Sequence, residues 1–594
     1  MDKKIDLKKK MFVQTYLVVV FSSLVVVIGT MIDGILTSRY LGDTSISALG
    51  LCTPILLIVV AISGVFSAGG QINTAQYLGK GSLDKARTCF SLVFFMAVVF
   101  GVIISVFIYV CDGTVAAFLR AGSPGSLLFE ETCQYLKGFS IGLPATILSL
   151  VLMPFVQMDG NKKRVVITLL CMIVINVAGD ILNVFMFKGG MFGMGLATSV
   201  SAVVSAVVLI HYFFMPSANL RIVIKNIPWK SAGMLFVTGA PTAMQRVYSA
   251  VANLLLNYIV KYYGGETALA AHSAKGNLVS LLLVLGASCG SAVMQTVSVL
   301  YGEEDREGVK RIIHIAIRLA LSVTSVVVIV SLVFPSTLAG VYMKPDSQSF
   351  PMLVDALRFY AFVYPFSALC DSFAGCFQAS KNTLPAHAIP FLEYLALPVI
   401  LALILGSTSM GINGVWMSYA ISEVLTLVLV WAGKSVYEKR MIIDPADMIT
   451  FPAGFDEESE RYTKDIFSME DAVTASREIM EMGLLKLPGD SRVARVSLAA
   501  EEMGKNIAQY GFDRDNDHIH KAEVRVMFKK EKIVLRMRDN CRKFDCVKYY
   551  TDLMAENDAS DETVNQFGIR AIYKLADSVQ YLSTFGMNNI LITI

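Results

Sequence analysis

The sequence predicts an all-α membrane protein of twelve transmembrane helices in two six-helix lobes, plus a C-terminal α/β sandwich domain. Three observations carry this: a seam in charge density near residue 450, twelve apolar runs before it, and a motif repeat at an offset of about 221 residues. The 594-residue chain is 55% hydrophobic and 17% charged, with a mean hydropathy of +0.58. Soluble domains carry about 25% charged residues, so the composition excludes an ordinary soluble enzyme. The deficit is uneven. Residues 451–594 hold 45 of the 99 charged side chains, 20 basic and 25 acidic. The front is therefore membrane-like and net basic, and the tail is soluble-like and net acidic.

The apolar runs sit at about 11–38, 52–78, 89–111, 136–157, 165–187 and 191–214, then at about 233–262, 276–301, 312–341, 356–379, 385–405 and 411–433. Each approaches or exceeds the roughly 20 residues that cross a bilayer. The first follows a basic stretch with no small-residue cleavage site, which reads as a span rather than a removed signal. Lys and Arg bias sets orientation. One set of loops carries Lys80, Lys85, Arg87, Lys162, Lys163, Arg164, Arg221, Lys225, Lys230, Arg306, Lys310, Arg311 and Lys381, together with N-terminal Lys3, Lys4, Lys8, Lys9 and Lys10. The alternate loops hold Arg120, Lys188, Lys261 and Lys344. Both termini are expected in the cytoplasm, with the chain multi-pass in the plasma (inner) membrane.

Within the repeat, Gly190-x-x-Gly193-x-x-Leu196-Ala197 aligns with Gly411-x-x-Gly414-x-x-Met417-Ser418, and Gln157 with Gln378. Gly79-Lys80-Gly81-x-x-Asp84 has a counterpart in Gly302-Glu303-Glu304-Asp305. Six spans per repeat make the halves parallel repeats, a layout of secondary transporters whose substrate site lies between them. The expected boundaries are 1–220 for the N-lobe, 221–440 for the C-lobe, 441–465 for a linker with Pro445, Pro452 and the acidic run Asp456-Glu457-Glu458, and 466–594 for the tail domain. In the tail, helices are expected near 468–485, 491–510, 545–556 and 566–577, and strands near 522–528, 533–538, 578–583 and 589–594, forming a mixed or antiparallel sheet. The ten cysteines contain no C-x-x-C and imply neither a metal site nor a disulfide framework.

Ionisable side chains inside spans are costly and point to function. Asp33 in span 1 and Asp180 in span 5 are such groups, and Asn176 shares a helix face with Asp180. Carboxylate, amide and hydroxyl oxygens suit Na⁺, and a desolvated carboxylate suits a shuttled proton. Asp371, Glu393 and Glu423 lie in spans 10 to 12, while span 7 carries Gln245-Arg246, an arginine placed to neutralise one of those acids.

Gly29-x-x-x-Asp33 with Arg39-Tyr40-Leu41-Gly42, Ala48-Leu49-Gly50 and Pro54 resembles the first-span signature of multidrug and toxic-compound extrusion (MATE) transporters. Gly69-Gly70 with Gln76-x-x-Gly79-x-Gly81, Asn176-x-x-x-Asp180, Gly190–Thr198, Gly239-x-Pro241 with Gly265, and Gly414-Val415-Trp416 are similar to later motifs of that family, in order over about 430 residues. The resemblance implies a cation-coupled antiporter, using Na⁺ or H⁺, that exports amphipathic organic compounds. It is a secondary transporter rather than an enzyme. It also implies a cation-coupling site of Asp33, Asn176, Asp180 and Thr198. Ser149–Gln157 lacks the asparagine that one branch carries on span 4, which leaves the ion open between Na⁺ and H⁺.

Glu501-Glu502-Met503-Gly504-Lys505-Asn506, Arg538-Asp539-Asn540-Cys541 and Gln566-Phe567-Gly568 resemble the GHKL ATP-binding fold of anti-sigma-factor serine kinases. That resemblance implies Glu502 as general base, Asn506 as a Mg²⁺ ligand, and Asp539 and Gly568 in nucleotide binding, with ATP and Mg²⁺ as cofactors. Cys541 replaces a family glycine, and only Gly568 remains of the next glycine loop. A nucleotide-free regulatory domain that has kept only the fold is the alternative. No Walker A loop is present, which disfavours an ATP-driven pump. The expected partners are a small organic substrate, membrane lipid and a cytoplasmic protein for the tail, with no nucleic acid. The competing functions are a flippase for lipid-linked or oligosaccharide cargo, which would need more intramembrane basic groups than Arg246 and Arg318, and a membrane-anchored kinase.

Overall fold

Each apolar run before the seam folds as helix in the computed structural model of the chain. The structure describes residues 6–452, 454–455, 460–512, 520–555 and 564–594, and for 553, 555 and 564–568 the backbone alone. Lys3, Lys4 and the acidic run 456–458 lie outside the described residues.

The first half contains α1 (Leu7–Leu36), α2 (Asp43–Gly79), α3 (Leu83–Val110), α4 (Asp112–Phe118), α5 (Leu127–Met158), α6 (Lys162–Leu182) and α7 (Gly190–Tyr212). The second contains α8 (Ala232–Gly302), α9 (Arg306–Val333), α10 (Pro335–Gly340), α11 (Phe350–Ala361), α12 (Val363–Ala379), α13 (Thr383–Phe391), α14 (Leu397–Gly406) and α15 (Ile412–Glu438). Among the described residues, ten helices are long and apolar enough to cross a membrane, or eleven when α11 and α12, bent by 45°, count as one. Leu17, Ile103, Val174, Val207, Leu254 and Ile329 stay exposed on these helices, as lipid-facing positions do.

The sequence predicts twelve spans, and the difference lies in α8. Its 71 residues run through Gly265, whose φ of 66° and ψ of −165° are not helical. At about 1.5 Å per residue the whole element would be more than three times the roughly 30 Å hydrocarbon thickness. Gly265 divides it into two arms, in a backbone region that essentially only glycine occupies. Gly42, between α1 and α2, has φ 103° and ψ −178°, at the equivalent place in the first half.

The repeat also appears in hydrogen bonds. Gln157 Nε2 donates to the Thr15 carbonyl on α1, and its counterpart Gln378 Nε2 donates to the Thr238 carbonyl on the first arm of α8. Gly190 and Gly411, paired by the motif, both take positive φ, 56° and 53°.

After the helices come β1 (Arg461–Ile466), α16 (Met469–Lys486), α17 (Ser491–Asn506), β2 (Ala522–Phe528), β3 (Ile533–Asp539), α18 (Cys546–Ala555), α19 (Val564–Leu575), β4 (Ser578–Thr584) and β5 (Met587–Thr593). The five strands form one antiparallel sheet in the order β1-β2-β3-β5-β4. The stretch expected as linker up to residue 465 gives its last residues to edge strand β1. Strand alternation sends Val524, Val526, Leu535, Met537, Ile590 and Ile592 into a core shared with Ala475, Ile479, Val496, Ala500 and Ile572 of the helices. The other face carries Arg525, Arg536, Arg538 and Asn589, and all four are buried. They are buried against the helical part of the chain. All ten cysteines are free thiols.

Candidate functional site

The four residues expected to hold a coupling cation come together inside the first half. Asp180 on α6 is 1% exposed, and its carboxyl lies within hydrogen-bonding reach of Asp33 on α1. Asn176, one turn earlier on α6, donates through Nδ2 to Thr198 Oγ1 on α7 at 3.4 Å. Apart from that contact with each other, both oxygens of Asp180 and Oδ1 of Asp33 have no hydrogen-bond partner. Buried polar atoms normally find one, so an arrangement leaving three carboxylate oxygens unmet fits a hard cation or a proton. Asn183 is spent elsewhere, accepting from Gly189 N and donating to the Gly190 carbonyl, where it ties the α6–α7 connection.

Helix geometry sharpens the site. Five-residue π-helical turns follow Asp33 (Thr37–Leu41) and Asp180 (Asn183–Phe187), and a third (Leu392–Ala396) contains Glu393. Such turns are rare and concentrate at functional sites. No residue pattern in the sequence announces them.

The second half holds another buried acidic group. Asp371 Oδ1 on α12 accepts from Gln245 Nε2 at 3.2 Å and Tyr394 OH at 3.1 Å. Glu393 Oε1 accepts from Ser367 Oγ at 3.1 Å. Glu393 Oε2 and Glu423 Oε2 are buried without partners, and ligand atoms of Cys370, Glu393 and Glu423 lie within 4.8 Å of one another. Arg246 is exposed, but its charge still acts on Asp371, while its neighbour Gln245 makes the hydrogen bond.

Sequence reasoning missed Lys275 and His272 on the second arm of α8. Lys275 is 4% exposed, with Nζ 4.0 Å from the Tyr419 ring centroid and 4.7 Å from that of Tyr360. His272 stacks on Trp416, and its Nδ1 has no hydrogen-bond partner. A lysine at 275, immediately before the run at about 276–301, was the available signal.

The nucleotide-site residues of the tail do not assemble as expected. Glu502 and Asn506 share α17, and Asn506 Nδ2 is buried without a partner. Asp539, however, is 2% exposed, and its Oδ1 accepts from Asn588 Nδ2 at 2.7 Å and Cys541 N at 2.9 Å. Burial raises its carboxyl above the usual range, against the pull of Asn588. A carboxylate committed to its own chain is a poor adenine acceptor. Gly568 lies inside α19, and the segment 556–563 ahead of that helix lies outside the described residues. Asp539, held by Asn588 and Cys541, does not fit the adenine role.

The tail's buried sheet face meets loops of both halves. Arg538 Nη2 reaches both oxygens of Glu303 at 2.5 Å, and Arg536 Nη1 reaches Glu303 Oε1 at 3.1 Å. Burial alone would raise the Glu303 carboxyl, but the two guanidiniums hold it below its ordinary value. Asp305 is likewise held well below that range: burial opposes it, and Lys8, Arg525 and the Gly308 N–H outweigh burial.

Comparison with known proteins agrees with the helical part. The MatE family model matches residues 19–182 and again 241–404, together more than half of the chain. The multidrug export protein MepA of Staphylococcus haemolyticus is 25% identical over 443 residues, covering 72% of this chain and 95% of that protein. MepA of Staphylococcus saprophyticus is 23% identical over 415 residues, covering 69% and 90%. A crystal structure of a MATE protein in complex with MaL6 superposes with a TM-score of 0.68 at 19% identity, covering 73% of this chain and 97% of that one. A MOP superfamily transporter from Pyrococcus furiosus, described as having a binding pocket of reverse polarity, gives a TM-score of 0.66 at 20% identity, covering 71% and 94%.

Proposed function

This chain belongs to the MatE family, and on that premise we propose that it is a cation-coupled antiporter exporting amphipathic organic compounds, with a cytoplasmic tail that regulates it. As a family member it is a secondary multidrug transporter and not an enzyme. One observation carries the coupling: Asp33 and Asp180, from two helices of the same lobe, lie within reach of each other with three carboxylate oxygens met by no other group.

In this reading the two arms of α8 are separate spans, so twelve helices form two six-helix lobes. The matching break at Gly42 and Gly265, the Gln157 and Gln378 bonds and the double family match support it. The basic loops support cytoplasmic termini in a plasma-membrane protein. Na⁺ or H⁺ entering the Asp33–Asp180 site removes the repulsion between two buried carboxylates. The helices α1, α6 and α7 then repack, and the lobes rock about the substrate between them. The π-turns beside Asp33 and Asp180 are the places where such repacking costs least. We assign the tail a GHKL-like fold that regulates without nucleotide.

The second reading is a flippase for lipid-linked or oligosaccharide cargo. Lys275, a buried cation in the second lobe, favours it, because a phosphate-bearing cargo needs a basic group inside the membrane. Reconstituted vesicles separate the two. An antiporter exports an amphipathic organic cation under an imposed Na⁺ or H⁺ gradient, whereas a flippase scrambles a labelled lipid-linked sugar and leaves the cation in place.

A further inference from the structure

Where the tail docks, the two halves of the helical part touch. A Cβ on Gly79 would run into the Val299 carbonyl and the Gly302 backbone, and a Cβ on Gly302 into the backbone of Gln76. Gln76 Nε2 also donates to the Ala379 carbonyl at 2.8 Å. The halves are closed on one another at this end, and the outer face of the tail's sheet lies over the closure.

That face is strange for a domain standing alone. The β2–β3 register sets Arg525 directly opposite Arg536, and like charges so placed repel. Arg525, Arg536 and Arg538 are 4%, 8% and 3% exposed, so water does not relieve the repulsion. The relief comes from the loop after Gly302. Glu303 takes Arg536 and Arg538, with Asn589 Nδ2 at 3.1 Å. Arg525 donates to the Glu303 carbonyl at 3.2 Å and to the Glu304 carbonyl at 2.6 Å.

The same sheet also grips the first half. Arg536 Nη2 donates to the Gly79 carbonyl at 2.6 Å, so one guanidinium holds both members of the repeated loop pair. Phe585 N donates to the Met158 carbonyl at 2.9 Å, and Asn219 Nδ2 to the Ser583 carbonyl at 2.9 Å.

We propose that the basic outer face of this sheet is a strap across the two lobes, which ties the loops after Gly79 and Gly302 together and must lift from one lobe before the lobes part at that end. The inference rests on the antiporter reading only in that it needs the lobes to move. The regulation it supplies is mechanical. Whatever draws Arg536 and Arg538 away from Glu303 frees the gate.

The test uses the full chain in lipid nanodiscs. Spin labels are attached through encoded non-cysteine handles at the exposed positions 85, in the first turn of α3, and 381, in the turn after α12, on opposite lobes. The probe is the inter-label distance, with no substrate or ion added. The unaltered chain should give one short distance. Arg536→Gln with Arg538→Gln, and separately Glu303→Gln, should add a second, longer distance with a several-fold larger population. Hydrogen exchange of β3 and β5 in the same samples reports whether the tail stays folded, and the strap is lost in either case. An unchanged distance distribution in both variants overturns the proposal. Transport by the unaltered chain is scored separately. A responding distance without cation export leaves the strap standing and removes the antiporter reading, while export with an unresponsive distance does the opposite.

Discussion

Arg538 and Glu303 form an ion pair at 2.5 Å with side chains 3% and 1% exposed, although 235 residues separate them in the chain. A pair buried this deeply is expensive to break from one side, because the remaining charge has no solvent. Glu303→Gln should therefore destabilise tail docking by about 3–5 kcal/mol. Glu304→Gln, which removes a half-exposed contact to Lys529, should cost under about 1 kcal/mol. Hydrogen exchange of residues 533–539 in the two variants checks the contrast.

Crowding at the lobe closure gives a second expectation. Gly79→Ala adds a Cβ against the Val299 carbonyl and the Gly302 backbone, neither of which can swing aside. Overpacking of this kind costs roughly 1–3 kcal/mol. The thermal midpoint should fall, and cross-lobe contact at that end should loosen. An unchanged midpoint would mean that the lobes do not meet there.

Asp159 supplies a pH dependence. It caps the loop after α5, accepts from Tyr212 OH at 2.8 Å and Asn219 N at 3.0 Å, and is pushed up to about 6 by burial. The folded chain thus holds this proton more tightly than the unfolded chain, whose carboxyl sits near 3.8. Its stabilising contribution is fullest below that lower value, declines as pH rises towards 6, and is flat above. Over the window this amounts to on the order of 3 kcal/mol. Melting followed from pH 4 to 7 should show the decline, and Asp159→Asn should flatten it.

Within the cation site the residues are not equal. Thr198→Val removes one hydroxyl that accepts from Asn176 and leaves the carboxylates in place. Losing one such neutral contact is worth about 0.5–1.5 kcal/mol, so the ion concentration needed for half-maximal export should rise by roughly tenfold at most. A complete loss would shift the site's centre from the acids to the hydroxyl.

Much of this was legible in the residues. The spans followed from apolar length, and Asp33 with Asp180 stood out because a charge in a span is costly. Strands β2 to β5 followed from alternation. What stayed hidden depended on contacts between distant segments. Arg525, Arg536 and Arg538 alternate with apolar residues, which gives the strands but not the partner, since Glu303 arrives from the loop after α8 to bury them. Strand β1 lay inside a stretch read as linker, since Arg461–Ile466 is an edge strand with polar residues on both faces. Asp539 kept its motif position, but Asn588 fills its acceptor.

The central claim is that Asp33 and Asp180 couple an entering cation to export. Its most direct test is efflux of an amphipathic organic cation from proteoliposomes under an imposed Na⁺ or H⁺ gradient, comparing the unaltered chain with Asp180→Asn at equal inserted protein. The account predicts gradient-driven efflux in the first and none in the second. Undiminished gradient-driven efflux by Asp180→Asn would contradict it.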